Sequence, residues 1–182
     1  MITPDATSST HHHYLTLALN EARKSPPKPT NFRVGACLVT KDNVVLTTGY
    51  TLESPGNTHA EQSCFVKLAQ QYSCSEVELG RYLHEHVADE IVLYTTMEPC
   101  NKRSVGNISC VDRVLALKTR EGKQVIGTVV VGVAEPETFV GVNEGRGRLE
   151  GAGIEVVVVP GMEEEILRVA TAGHDKNGGA NS

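Results

Sequence analysis

Four residues of this chain have the types and spacing to do chemistry together: His59 and Glu61 in "THAEQ", Cys100 in "EPC" and Cys110 in "ISC". An imidazole and two thiolates supply three ligands for a tetrahedral Zn2+ and leave the fourth position to water. Three protein ligands plus an open position is the catalytic arrangement; a closed structural site wants a fourth side chain. The ion contributes acidity: its bound water falls from a pKa of about 15.7 to about 7, which makes hydroxide available at neutral pH. A carboxylate near the metal but not bound to it can then move protons, and Glu61 lies two residues past His59.

Each residue also has a plainer reading. Taken alone, Glu61 is the Glu of a capping box opened by Thr58. Cys37 and Cys64 read as small buried hydrophobes, Cys74 has no assigned role, and His12, His13, His84 and His86 read as surface residues. For the four together packing is a poor explanation, because "THAE" follows a hairpin and "EPC" follows a buried strand, with another cysteine before a helix. His-x-Glu followed by Pro-Cys and a further cysteine is the pattern of hydrolytic zinc deaminases. The reaction expected is attack by hydroxide on an amidine-like ring carbon. Glu61 protonates a ring nitrogen and then the departing amine, so that water is consumed and ammonia leaves.

The elements that must position these groups are legible from periodicity. Tyr14, Leu15, Ala18, Leu19 and Ala22 recur at helical spacing and predict a helix over 11–24, ended by the prolines of "SPPKP". "RVGACLVT" and "VVLTTGY" around "KDN" predict a β-hairpin. A helix follows from Thr58, then the short apolar strand "EIVLYTTM". Pro99 and the residues before "CVDRVLAL" place both cysteines at helix beginnings, where the dipole favours thiolates. "VIGTVVVGVAEP" and "IEVVVVP" predict two more buried strands. A helix between them ends at Gly151 or Gly153, and "GMEEEILRVATAG" predicts a last helix. The order α-β-β-α-β-α-β-α-β-α implies an α/β fold, one mixed sheet with helices on both faces. Residues 1–10 are expected to be a loose arm, 11–173 a single domain and 174–182 a frayed tail.

Bulk properties bound the function. The chain has 182 residues, 40% hydrophobic and 21% charged, which suits a folded globular protein. Its net charge of −5 argues against a broad nucleic-acid surface. No apolar run approaches a membrane span, and the N-terminus does not read as a signal peptide. Five cysteines, an odd count without a secretory signal, favour free or metal-bound thiols over disulfides. The expected location is therefore the cytoplasm or nucleus, not the secretory route. Asn107-Ile108-Ser109 then matches the glycosylation pattern by chance, and Gly145-Arg146-Gly147 is no dinucleotide fingerprint, since no strand leads straight into it. The run His11–His13 is read as native sequence in preference to a tag remnant.

These motifs resemble the cytidine-deaminase-like superfamily of zinc deaminases, over about residues 14–173. The resemblance implies a three-layer α/β/α fold with a five-stranded mixed sheet and one Zn2+ per chain, held by His59, Cys100 and Cys110. Many members have two residues between the cysteines, whereas this chain has nine, Asn101 to Ser109. Long loops of this kind resemble the deaminases of riboflavin biosynthesis. So do "NFRVGACLV", "PGNTHAEQ" and the stretch from "VVVGVAEP" to "EGAGIEV", in which a strand ends in an acidic-Pro pair. The loop itself looks most similar to the fungal type. That type implies 2,5-diamino-6-ribitylamino-4(3H)-pyrimidinone 5'-phosphate as substrate, where the bacterial type takes the ribosylamino form. The resemblance points to Asn31 and Asn57 as ring or sugar contacts. The loop offers Lys102, Arg103, Ser104 and Asn107, and a basic residue there could grip the phosphate or polyol. Lys28 and Arg33 are as well explained as solvated surface. No reductase segment follows in the sequence, so a stand-alone deaminase is expected, and the resemblance suggests a homodimer.

Two alternatives remain open at this level. A zinc deaminase of another base, nucleoside or tRNA adenosine would need a basic groove for RNA. A noncatalytic subunit with structural zinc would have no need for Glu61.

Overall fold

The structure, a computed structural model of the chain, describes residues 6–134 and 144–174. Helix α1 (Ala6–Ala22) buries Tyr14, Leu15, Ala18, Leu19 and Ala22, the five positions whose spacing announced it. It begins at Ala6, so residues 6–10, expected as part of a loose arm, are helical. Strands β1 (Gly35–Thr40) and β2 (Val45–Tyr50) form the expected antiparallel hairpin. Asn43 takes the left-handed conformation that its turn requires, at φ 65°. A Cβ at residue 35 would lie 1.8 Å from the Ala18 carbonyl oxygen, so only glycine lets β1 start this close to α1.

Helix α2 (Ala60–Gln71) follows the hairpin, and helix α3 (Glu76–His86) follows α2. The sequence reading had no helix over 76–86, although a signal for one is there. Ser75 accepts from the Glu78 amide while the Glu78 carboxylate accepts from the Ser75 amide, a complete capping box. Leu79 and Leu83 lie one turn apart beneath it, both buried. Gly80, which lowers helix propensity, is required there because a Cβ would meet the Lys118 backbone nitrogen at 2.4 Å.

Strand β3 (Ile91–Met97) leads through a loop to helix α4 (Cys110–Ala116). Strand β4 (Ile126–Val133), helix α5 (Glu144–Gly151), strand β5 (Glu155–Val158) and helix α6 (Glu163–Ala170) complete the order. Gly153, at φ +85°, ends the α5 turn as a left-handed cap. The acidic-Pro pair expected at the end of β4, and the extension of that strand to 136, lie outside the described residues.

The sheet runs β2-β1-β3-β4-β5, antiparallel at β2–β1 and β1–β3, parallel at β3–β4 and β4–β5. Alternation along the strands divides the core into two faces. Leu38, Leu93, Val129 and Val131 face Phe65 and Leu68 of α2, Leu79 and Leu83 of α3, Val111 and Val114 of α4 and Leu149 of α5. Cys37, Val39, Tyr94 and Val130 face Tyr14 and Leu15 of α1. Met97 and Val133 on the same side meet Leu19 of α1 and Ile166 of α6. Helices therefore cover both faces, as expected. Burying Phe65 alone stabilises the fold by about 2–3 kcal/mol. β5 departs from expectation: it pairs on one side only, and Glu155 and Val158 at its ends are exposed. Among the described residues no helix is long and apolar enough to cross a membrane.

Candidate metal centre and active site

Three chain segments meet beyond the C-terminal end of β3. His59 is the N-cap residue of α2, extended at φ −90° and ψ 160°, and Glu61 stands in the first turn. Cys100 lies in the loop just after β3, and Cys110 is the first residue of α4. The sequence reading placed Thr58 as N-cap in a box with Glu61. Instead, the Thr58 hydroxyl bonds back to Ser54, and no side chain caps α2. The imidazole at the cap position and the carboxyl three residues after Thr58 are both turned toward the cysteines. Cys100 does not begin a helix either. It receives the end of one: the Cys110 amide, first of α4, donates to Cys100 Sγ at 3.4 Å, and the Val111 amide donates to the Cys100 carbonyl at 3.1 Å.

The donor atoms form a small triangle. His59 Nδ1 lies 3.5 Å from Cys100 Sγ and 3.4 Å from Cys110 Sγ, and all three atoms are within 4.8 Å of one another. Zinc bonds of about 2.3 Å to sulfur and about 2.05 Å to nitrogen, opened to the tetrahedral angle, put an N···S edge at about 3.6 Å. The triangle therefore has the size and chemistry of a tetrahedral zinc site. No other group of three His, Cys, Asp or Glu side chains among the described residues converges in this way.

Glu61 is buried beside the triangle. Cys110 Sγ donates to Glu61 Oε2 at 3.3 Å, and the Thr95 hydroxyl lies 3.4 Å from Oε1 while donating to the Met97 carbonyl at 2.8 Å. Loss of hydration pushes the Glu61 carboxyl above the usual carboxylate range, against the opposing influence of His59. The two thiols titrate as a pair. The contact with Cys110, then His59 and the Cys110 amide, hold the Cys100 thiol well below its usual range, while the contact with Cys100 and burial push Cys110 up.

The candidate substrate residues divide into two groups. Asn31 and Asn57 come together with Arg103: Asn31 Nδ2 donates to Asn57 Oδ1 at 2.8 Å, and Arg103 donates to the Asn57 carbonyl and, at 3.0 Å, to Gln62 Oε1. This chain of bonds ends one residue from Glu61. Lys102, Ser104 and Asn107 are outside this chain of bonds and have other partners. Lys102 Nζ is 3.9 Å from Glu144. Asn107 folds back on Ser104 in a turn with Gly106 at φ +88°, a type II requirement for glycine. Arg33 serves as backbone ligature, donating to the Ser25 and Arg23 carbonyls.

Sequence reasoning missed Thr95, Gln62, the buried Glu98 with Arg146 Nε at 3.2 Å, and Arg148. Strand burial hid Thr95, since its hydroxyl sits in an otherwise apolar run. The sequence reading gives "GRGR" to a helix and excludes a dinucleotide motif, with no role for its arginines. Nothing local marks Gln62.

The comparisons with known proteins agree with this geometry. A family model for the cytidine and deoxycytidylate deaminase zinc-binding region matches residues 8–128. A diaminohydroxyphosphoribosylamino-pyrimidine deaminase of Schizosaccharomyces pombe is 37% identical over 164 residues, 90% of this chain. The chain spans 36% of that relative's length. The Aspergillus oryzae Rib2 deaminase, solved as a C-terminal deletion mutant in complex with DARIPP, is 44% identical with a TM-score of 0.80. That match covers 91% of this chain and 92% of the other. A deaminase/reductase of Thermotoga maritima shares the fold at 23% identity and a TM-score of 0.66, over 92% of this chain and 41% of its own.

Proposed function

This chain belongs to the cytidine and deoxycytidylate deaminase zinc-binding family, and on that premise we propose that it hydrolytically deaminates a phosphorylated diaminopyrimidinone of riboflavin biosynthesis. One observation carries the reading: a His59–Cys100–Cys110 triangle of zinc dimensions with a buried carboxyl, Glu61, against it. The relatives reported above support the substrate class.

In this reading His59, Cys100 and Cys110 hold one zinc per chain. When bound, zinc supplies an acidified water as nucleophile at neutral pH. Glu61 does the proton work. Its raised affinity for a proton lets the carboxyl take one proton from water and give it to the ring nitrogen, then take the second and give it to the leaving amine. Thr95 orients that carboxyl from β3. Asn31 and Asn57 form the edge that meets the ring and sugar, and Arg103 braces that edge. Lys102 is exposed beside Glu144, and its ammonium can exchange that carboxylate for the substrate's phosphate or polyol. The resemblance to the fungal type favours the ribitylamino over the ribosylamino side chain. It also supports a homodimer, a single deaminase unit over 11–173, and a place in the cytoplasm or nucleus.

The test is ammonia release by the zinc-loaded protein from the ribitylamino and ribosylamino phosphates in parallel. Turnover of the first, at a kcat/KM above that of the second, is expected. Glu61→Gln should lower kcat by about 10²–10⁴-fold with zinc content unchanged by elemental analysis. Release from neither compound would refute the substrate assignment, and full activity in Glu61→Gln would refute the role of the carboxyl.

A further inference from the structure

The two cysteines of the triangle sit at the feet of one loop, residues 100–110, and a single side chain outside the site holds both feet. Arg148 on α5 donates through Nη1 to Asn101 Oδ1 at 2.8 Å and through Nη2 to Asp112 Oδ1 at 2.6 Å. Asn101 is the neighbour of Cys100, and Asp112 lies two residues past Cys110. Both contacts lie at the surface, but each partner of the guanidinium is held by a second bond. The Asn101 amide nitrogen is also 3.4 Å from Glu144 Oε2. The other Asp112 oxygen accepts from Ser109 Oγ at 2.7 Å, while Ser109 Oγ caps α4 by accepting the Asp112 amide at 3.1 Å. The guanidinium thus fixes the distance between the start of the loop and the first turn of α4.

We infer that Arg148 is a positioning residue for the metal centre: its planar fork sets the separation of Cys100 and Cys110 by tying Asn101 to Asp112. This rests on the zinc reading of the triangle and deepens it. The physical reason is the length of the loop. Nine residues between two ligands leave many separations of the sulfurs accessible, and ordering them costs conformational entropy at each metal-binding event. A rigid two-pronged donor removes that freedom beforehand. A lysine cannot do so, because its ammonium is a point charge with no fixed fork.

The test measures zinc affinity by competition with a chromophoric chelator, and the thiolate-to-cobalt charge-transfer absorption of the cobalt-substituted protein. Arg148→Ala should bind zinc about tenfold more weakly, at the lower end for groups that orient metal ligands, and should shift the cobalt band. Arg148→Lys should recover little of the loss. Asn101→Ala should weaken binding as well, and the double variant by less than the product of the two losses, because the pair acts as one unit. Arg23→Ala breaks an exposed ion pair with Glu165 on the opposite side of the sheet and should leave zinc binding unchanged. Zinc affinity in Arg148→Ala within about twofold of wild type, or full recovery by Arg148→Lys, overturns the inference. The underlying zinc reading fails separately, and takes the inference with it, if Cys100→Ser retains wild-type affinity.

Discussion

At the residue scale, the five cysteines show how environment assigns different chemistry to one side chain. Cys100 and Cys110 face each other and His59, and hydrogen bonding favours a thiolate at Cys100. Cys37 lies between the sheet and α1 with Sγ 3.7 Å from the Tyr14 carbonyl, and burial pushes its thiol up to about 12. Cys64, on the other face, is raised by the same cause. The sign follows from which form is charged: burial disfavours the thiolate, so alkylation, which needs the thiolate, is suppressed. At pH 8 the Cys37 thiolate is therefore far rarer than the roughly one in four expected of an unperturbed thiol. Native zinc-loaded protein treated with iodoacetamide at pH 8 should therefore modify Cys74, which is only partly buried, and spare Cys37 and Cys64 until denaturant is added. Mass spectrometry of the peptides checks this, and rapid native labelling of Cys37 would contradict the burial argument. Cys37 and Cys64 were legible as core residues from their apolar neighbours. The place of Glu61 beside the cysteines was legible from His-x-Glu with the two cysteines taken together, although Glu61 alone fits a cap with Thr58 equally well.

At the element scale, the start of α2 is the part on which the proposed chemistry depends most. It carries His59 and Glu61 and lies over β2 where Gly49 permits close approach. A Cβ at 49 would sit 2.5 Å from the Ala60 carbonyl oxygen and 3.0 Å from Cys64 Sγ. Gly49→Ala should therefore push the first turn outward, costing about 1–3 kcal/mol of stability and weakening zinc retention. Gly147→Ala on α5, where nothing lies within 4 Å of the added carbon, should gain about 0.5–1 kcal/mol. Thermal or urea unfolding of the two variants against wild type makes the comparison, and equal effects at both positions would sink it. α1 was readable in advance from the helical spacing of its five buried apolar positions. α3 escaped because its glycine obscured the pattern, and the need for that glycine arises from Lys118, 38 positions away in the chain.

At the scale of the whole molecule, the two apolar layers are packed by the helices on either face of the sheet, and the triangle lies at one end of the sheet. Zinc should therefore stabilise the fold without building it. At a free concentration of 100 times its Kd, zinc would add about 2.7 kcal/mol. Chelation should lower the Tm by several degrees while far-UV circular dichroism at room temperature is retained. Collapse of the secondary structure on chelation would show that the metal is part of the core. The amino-acid sequence by itself determined the residue types of the site, the hairpin, the mixed sheet and most of its helices, because periodicity and local turn chemistry are written into neighbouring residues. Tertiary structure alone decided that His59 and not Thr58 stands at the cap of α2, that Arg103 braces Asn57 while Lys102 turns to Glu144, that β5 is an edge, and that Arg148 spans the loop. Each of those depends on atoms brought together from distant parts of the chain, and such distances are settled only when the layers close on one another.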